Sequence, residues 1–232
     1  MSGGLNNSAE IVTPILRYED IELLQQVVRK LREKGAKADN TCGIHVHVDA
    51  TAYTAKNLWN LVNIMSAKED ILYKALQVKQ RRQEHYCKKT DEKLVKTINT
   101  EKPQTLQKVK EIWYEGSTSR SYEHYDSSRY HALNLHSLWQ GKGIEFRCFN
   151  GTTHAGKIKA YIQLCLAISH QALTQKSAST KKTKSTNEKF TFRTWLLHLG
   201  LIGKEFETAR QHLLANLDGD AAYRYENTRS AV

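Results

Sequence analysis

Only two prolines, Pro14 and Pro103, and four cysteines occur among the 232 residues of this chain. The cysteines, Cys42, Cys87, Cys148 and Cys165, form no Cys-x-x-Cys pair. Reduced thiols are the expectation, and a cysteine-based zinc site is not. No run approaches the roughly 18 apolar residues that a membrane-crossing helix requires. Met1 to Ser8 is polar, without a basic-then-apolar leader pattern, so the expected location is cytoplasmic. No internal repeat occurs. Acidic residues are the minority charge, 24 against 35 Lys and Arg, for a net charge of +11. That balance favours polyanionic partners without choosing between nucleotide phosphates and nucleic acid. A hydrophobic fraction of 40% is enough for one sizeable core, or a core with a small helical appendage.

Against that background one stretch carries concentrated chemistry. Gly43-Ile44-His45-Val46-His47-Val48-Asp49 alternates strictly. Successive side chains of a strand point to opposite faces, so Ile44, Val46 and Val48 would line a core face and His45, His47 and Asp49 the other. Two imidazoles on one strand face suit a metal or a polyanion; a half-exposed strand with incidental histidines is the plainer reading. A second alternating stretch, Ile144 to Phe149, sets Ile144, Phe146 and Cys148 on one face and Glu145 and Arg147 on the other. It follows the turn Gln140-Gly141-Lys142-Gly143, which would join it in a hairpin to a strand over Tyr130 to Leu138. A cross-strand salt-bridge role is the plainer reading of Glu145 and Arg147, but a carboxylate and a guanidinium beside a tight glycine turn suit a site better.

The rest reads mostly as helix. A short strand over Ser8 to Thr13 is expected, stopped by Pro14, with Glu10 and Val12 on one face. Helices are expected over Tyr18 to Lys34, with Gly35 as a stop, and, in one piece or two, over Thr54 to Lys79, with Thr54 as a cap and Leu58, Leu61, Met65, Leu72 and Leu76 as the stripe. Gln80 to Lys89 is polar, either a solvated helix end or an arginine pair, Arg81 and Arg82, aimed at phosphate or carboxylate. Asp91 to Asn99 and Pro103 to Trp113 read as helices, with Pro103 in a first turn. Gly116 to Ser128 reads as a loop. Thr152 or Thr153 would begin a helix over Ala155 to Leu173. Gln175 to Lys189, rich in Lys, Ser and Thr, reads as a flexible loop, and Phe190 to Leu199 and Lys204 to Leu217 as closing helices. The domain expectation is a unit over 1–174, a loop over 175–189 and a helical segment over 190–232.

Four stretches stand in a telling order: Glu10 to Pro14, Cys42 to Val48, Arg129 to Leu135 and Ile144 to Thr152. With the helices between them the chain resembles the putative amidoligase family, similar in its catalytic domain to glutamine synthetase and the glutamate–cysteine ligases. The resemblance implies an α+β fold, an antiparallel sheet backed by helices with a helical C-terminal extension. It implies an ATP-dependent carboxylate–amine ligase working through an acyl phosphate, with ATP and Mg²⁺ or Mn²⁺, and with small-molecule or peptide acids and amines as substrates. Carried over residue by residue, Glu10, His45 and Glu145 match metal ligands. His47 and Arg147 match phosphate-contacting residues, and Arg129 matches the arginine before the Leu-Asn strand. Arg82 and Tyr86 resemble an Arg…Tyr-Cys element, and Arg82 is grouped with the nucleotide-binding residues.

Such chemistry needs metal and arginine beside the transferred phosphoryl group, and carboxylates and imidazole to hold the metal. One departure stands out. The family usually opens with a Gly-x-Glu-x-Glu type strand, where this chain has only Met1 to Ser8, so the catalytic unit is expected to be incomplete at its N-terminus. Two rival expectations follow: an inactive truncated homologue, and a basic nucleic-acid-binding protein.

Overall fold

The computed structural model describes residues 9–224. It is an α+β protein, as expected. Its strands are β1 (Gly43–Val48), β2 (Leu133–Asn134) and β3 (Ile144–Asn150). They form one antiparallel sheet in the order β1-β3-β2. The helices are α1 (Ile21–Glu33), α2 (Ala55–Leu76), α3 (Gln80–His85), α4 (Glu92–Glu101), α5 (Leu106–Trp113), α6 (His136–Trp139), α7 (Ala155–Thr174), α8 (Glu188–His198) and α9 (Glu207–Leu214).

The two long helices are the floor of the sheet. Thr54 caps α2 by accepting from the Asn57 amide, and Asn57 returns the bond to Thr54, so two orphan donors are satisfied at once. Leu58, Leu61, Met65, Leu72 and Leu76 are all buried, the stripe expected. The helix ends at Gln77 in the left-handed conformation, and Asn150 at the end of β3 donates to the Leu76 and Gln77 carbonyls. The α7 helix packs against α2, β1, α1 and α9. Its cap is His154, not Thr152 or Thr153: His154 Nδ1 accepts from the Lys157 amide.

Alternation along β1 holds where it matters. Val46 and Val48 are buried, and His45 and His47 lie on the exposed side. In β3 the alternation is broken once. Ile44 pairs with Phe149 and Val46 with Phe146, so Arg147 and Cys148 together oppose His45. This bulge turns both Phe146 and Phe149 toward the helices while Glu145 and Arg147 keep the other face. Phe149 stacks on Tyr161 of α7 at 4.4 Å between centroids. Burying a ring of that size stabilises by roughly 1.5–3 kcal/mol.

Elsewhere the structure departs from the sequence reading. Among the described residues 9–13 there is no strand; the segment is exposed and finds no sheet edge. Ser8 lies outside the described residues. The strand expected over Tyr130 to Leu138 shrinks to Leu133–Asn134, because α6 begins at His136. Pro103 stays outside α5, whose cap is Thr105. The 116–128 segment folds into short 3-10 turns, held where Arg120 grips Asp126 at 2.7 Å.

Residues 175–187 have no regular structure, yet they lie along α2. Asn60 Nδ2 donates to the Gln175 carbonyl at 2.9 Å, Asn60 Oδ1 accepts from the Ala178 amide at 3.1 Å, and Asn63 Nδ2 donates to the Ala178 carbonyl at 3.1 Å. Further along, the Thr183 amide donates to the Ala67 carbonyl. Asparagines spaced three apart share one helix face, which is how α2 offers a row of amides to an extended chain. The closing helices form as α8 and α9.

Candidate functional site

The polar face of the sheet gathers one carboxylate and several cationic groups. Register puts His47 opposite Glu145 across β1 and β3, and Asn134 opposite Glu145 across β2 and β3. Glu145 is therefore flanked from both sides. His45 Nδ1 stands 3.1 Å from its Oε1, His47 Nε2 3.7 Å, and Arg147 Nη1 2.8 Å. Asn134 Nδ2 donates to Oε2 at 2.5 Å. Burial alone would raise the Glu145 pKa. The His45 hydrogen bond and the charges of Arg147, His45 and His47 outweigh it and hold the carboxyl down at about 2.

Arg147 is buried, which pulls its pKa below the usual guanidinium value, and Glu145 opposes that pull. Its Nε faces the Tyr86 carbonyl at 3.4 Å and its guanidinium lies 5.8 Å from the centre of the Tyr130 ring. Arg129 lies against the same ring, also at 5.8 Å, and against Tyr125 at 5.3 Å. Its Nη1 donates to the His124 carbonyl. Two guanidiniums thus share one aromatic platform, with a single carboxylate between them and the imidazoles. The surplus is positive, which is the electrostatic condition for binding an anion.

Sequence reasoning placed Arg82 among nucleotide-binding residues, but here it turns inward. Its Nη2 donates to the Arg147 carbonyl at 2.9 Å and its Nη1 to the Cys42 carbonyl at 3.3 Å. It is 3% exposed. Gly43 makes room for it: a Cβ there would lie 2.4 Å from Arg82 Nη1. Arg82 therefore clamps the start of β1 to the bulge in β3, and its cation is spent on backbone carbonyls. Its neighbour Arg81 is exposed.

Glu10 is not gathered with His45 and Glu145. It is exposed and makes no hydrogen bond or ion pair with any described residue. The physical reason is the missing strand: without ladder partners the 9–13 segment has nothing to fix its side chains against the sheet. Among the described residues no group of three or more His, Cys, Asp or Glu side chains is placed to hold a metal ion. What remains is one carboxylate with two imidazoles in front of it.

Four supports escaped the sequence reading. Asn134 holds Glu145; counting about the Gly141 to Gly143 turn pairs Glu145 with Trp139 instead, because it does not foresee α6 between β2 and β3. Ser137 Oγ and the Lys142 carbonyl lie 3.2 and 3.0 Å from His47 Nδ1 and orient that ring. Tyr130 carries both arginines. Ser137 and Lys142 reach His47 from α6 and the turn after it, and no local pattern announces that.

The profile of a family described as a putative amidoligase enzyme matches residues 2–169. The chain belongs to the putative amidoligase family. The match spans all four stretches that carry the resemblance, and the Glu145–Arg147 pair and both histidines fall inside it. No curated protein and no solved structure matches the chain. No helix among the described residues is long and apolar enough to cross a membrane.

Proposed function

We propose that this amidoligase-family chain is an ATP-dependent carboxylate–amine ligase. The observation that carries the reading is the Glu145–Arg147 pair on the polar face of β3, met by His45 and His47 from β1, in a chain of that family. In such a reaction a carboxylate oxygen of the acid attacks the terminal phosphorus of ATP, ADP leaves, and an amine then displaces phosphate from the acyl phosphate.

The residues present suit part of that task. Arg147 is pre-oriented by Glu145 and Tyr130, and its Nη2 has no protein partner among the described residues. That atom is free to donate to a phosphoryl oxygen. Arg129, on the other side of Tyr130, supplies a second cation. Fixed cations of this kind stabilise charge that grows on the phosphoryl oxygens without reorganising during the reaction. Mg²⁺ is ordinarily held by one or two protein groups and by substrate phosphates, so one carboxylate with an imidazole fits an ion brought in with a nucleotide and not a closed protein cage. Mn²⁺ accepts that mixed donor set as well. When bound, the ion would offset phosphate charge beside Glu145.

A second reading, a member that binds nucleotide but turns over poorly, is favoured by the isolation of Glu10. A nucleic-acid-binding role has less support, because Arg82 and Arg147 are buried and add nothing to an outer basic surface. The substrates proposed are small-molecule or peptide acids and amines. The test is phosphate release from ATP with a panel of amino acids as acids and amines, with products checked for a new amide by mass. Metal-dependent release that needs both an acid and an amine supports the ligase. Release indifferent to both counts against it.

A further inference from the structure

The start of α7 and the last turn of α9 meet through two histidines. His154 caps α7 with a bare ring nitrogen: Nδ1 accepts from the Lys157 amide at 3.2 Å, so the proton of the neutral ring sits on Nε2. The His212 ring stands edge-on to it, with 4.9 Å between centroids and the planes 78° apart. Gly156 gives His212 its seat, since a Cβ there would lie 2.9 Å from His212 Nε2. This arrangement needs neutral rings. A protonated His154 donates from both nitrogens and no longer accepts from the Lys157 amide. It also sets a cation at the positive end of the α7 dipole and beside His212.

Burial first, then the charges of His154 and Lys157, hold the His212 pKa below the ordinary imidazole value of 6.5. The elements packed around the pair supply no carboxylate to offset a new charge. Glu205, in the turn before α9, is held by Lys159 of α7 at 2.9 Å and by Tyr18. Glu188 of α8 is held by Lys74 of α2. From α1 the start of α7 receives Gln25, a neutral amide that donates to the Ala155 carbonyl. Just past α9, Asn216 donates to the Ala75 carbonyl of α2. On α9 itself Arg210 is spent on the Leu201 and Gly203 carbonyls, and Glu207, five residues before His212, points from another side of the helix. Because the docked value is the lower one, an undocked His212 takes the proton first. The stabilisation from the neutral ring is complete above about pH 6.5 and fades below it.

We propose that His154 and His212 form a pH-sensitive latch that docks α9 on α7 at neutral pH and releases it in mild acid. The latched element is light: Ala209 and Leu213 are its buried side chains, so few other contacts oppose release. It lies beyond residues 2–169, the span of the family match, and does not depend on the ligase reading.

Hydrogen exchange of the 207–214 amides in the full chain, corrected for intrinsic rates, tests this at about pH 7.5 and 5.0, with the 58–65 amides of α2 as reference. Glu145, which titrates at about 2, is silent over that range. Protection of α9 relative to α2 should fall about fivefold or more between the two conditions. His154→Asp keeps a cap acceptor and sets a carboxylate against His212, so the fall should shrink to less than about twofold or reverse. His212→Leu removes the second titrating ring and should also lose most of the fall. In the unsubstituted chain, the imidazole resonances of His212 should titrate below about pH 6.5, a readout independent of how the variants fold. No fall in the unsubstituted chain, an equal fall in both variants, or a His212 titration at or above that value overturns the latch.

Discussion

Asn134 and Glu145 stand opposite each other on β2 and β3, and the Asn134 amide donates to the Glu145 carboxylate at 2.5 Å. Asn134 Oδ1 in turn accepts from the Ser137 amide at 3.3 Å. One buried side chain thus couples the carboxylate to the start of α6. Replacing Asn134 with Ala strips a buried carboxylate oxygen of its donor and should cost about 1–3 kcal/mol, read from urea midpoints. Asn134→Asp should cost more at neutral pH, because two carboxylates would meet. An aspartate variant as stable as the parent would show that the contact carries no weight.

Acid should weaken this site in a defined window. The Glu145 carboxyl titrates at about 2 in the fold, against an ordinary value of 4.5. The unfolded chain therefore binds the proton first as pH falls. The stabilisation from Glu145 is complete above about pH 4.5 and is lost toward pH 2, a difference on the order of a few kcal/mol. Urea unfolding of the parent and of Glu145→Gln at pH 7, 5, 4 and 3 isolates this contribution. The gap between the two should narrow on acidification; a constant gap would contradict the assignment.

Arg82 should behave as a structural clamp. Arg82→Met removes one donor from each of the Cys42 and Arg147 carbonyls, the former keeping the Gly151 amide, and should destabilise by about 2–4 kcal/mol. Arg81→Ala, at an exposed position, should stay within about 0.5 kcal/mol of the parent. Equal and small effects at both positions would remove the clamp from the account.

The 175–187 segment should resist protease better than its composition suggests. Cleavage by trypsin at Lys176 and Lys181, both exposed, requires the chain to lift from α2. Asn60→Ala combined with Asn63→Ala removes three of its anchors and should speed cutting there by about tenfold or more. If the parent is already cut there as fast as the double variant, the asparagine anchors do not hold the segment in solution.

How much of this was legible beforehand depends on how local the signal is. The alternation of His45, Val46, His47 and Val48 states its own faces, and the structure keeps them. The leucine stripe of α2 and the glycine turn before Ile144 are equally local, and both held. The β3 bulge opposite His45 was not legible, since a ladder irregularity depends on both strands at once. The inward turn of Arg82 depends on the room left by Gly43, some forty residues away in the chain. Glu10 failed for a related reason: alternation over 9–13 is compatible with a strand, but a strand needs an edge to pair with. The asparagines of α2 read as polar helix positions until the extended segment beside them is seen.

The central claim is that the face bearing Glu145, Arg147 and Arg129 takes a metal–nucleotide complex. Calorimetric titration with a non-hydrolysable ATP analogue, with and without Mg²⁺ or Mn²⁺, tests it most directly. The account predicts weak saturable binding that needs the divalent ion and falls about tenfold or more in Arg129→Ala, the cost of one charge-assisted contact. No binding of the analogue with either ion, beside salt-dependent binding of an oligonucleotide, would contradict it.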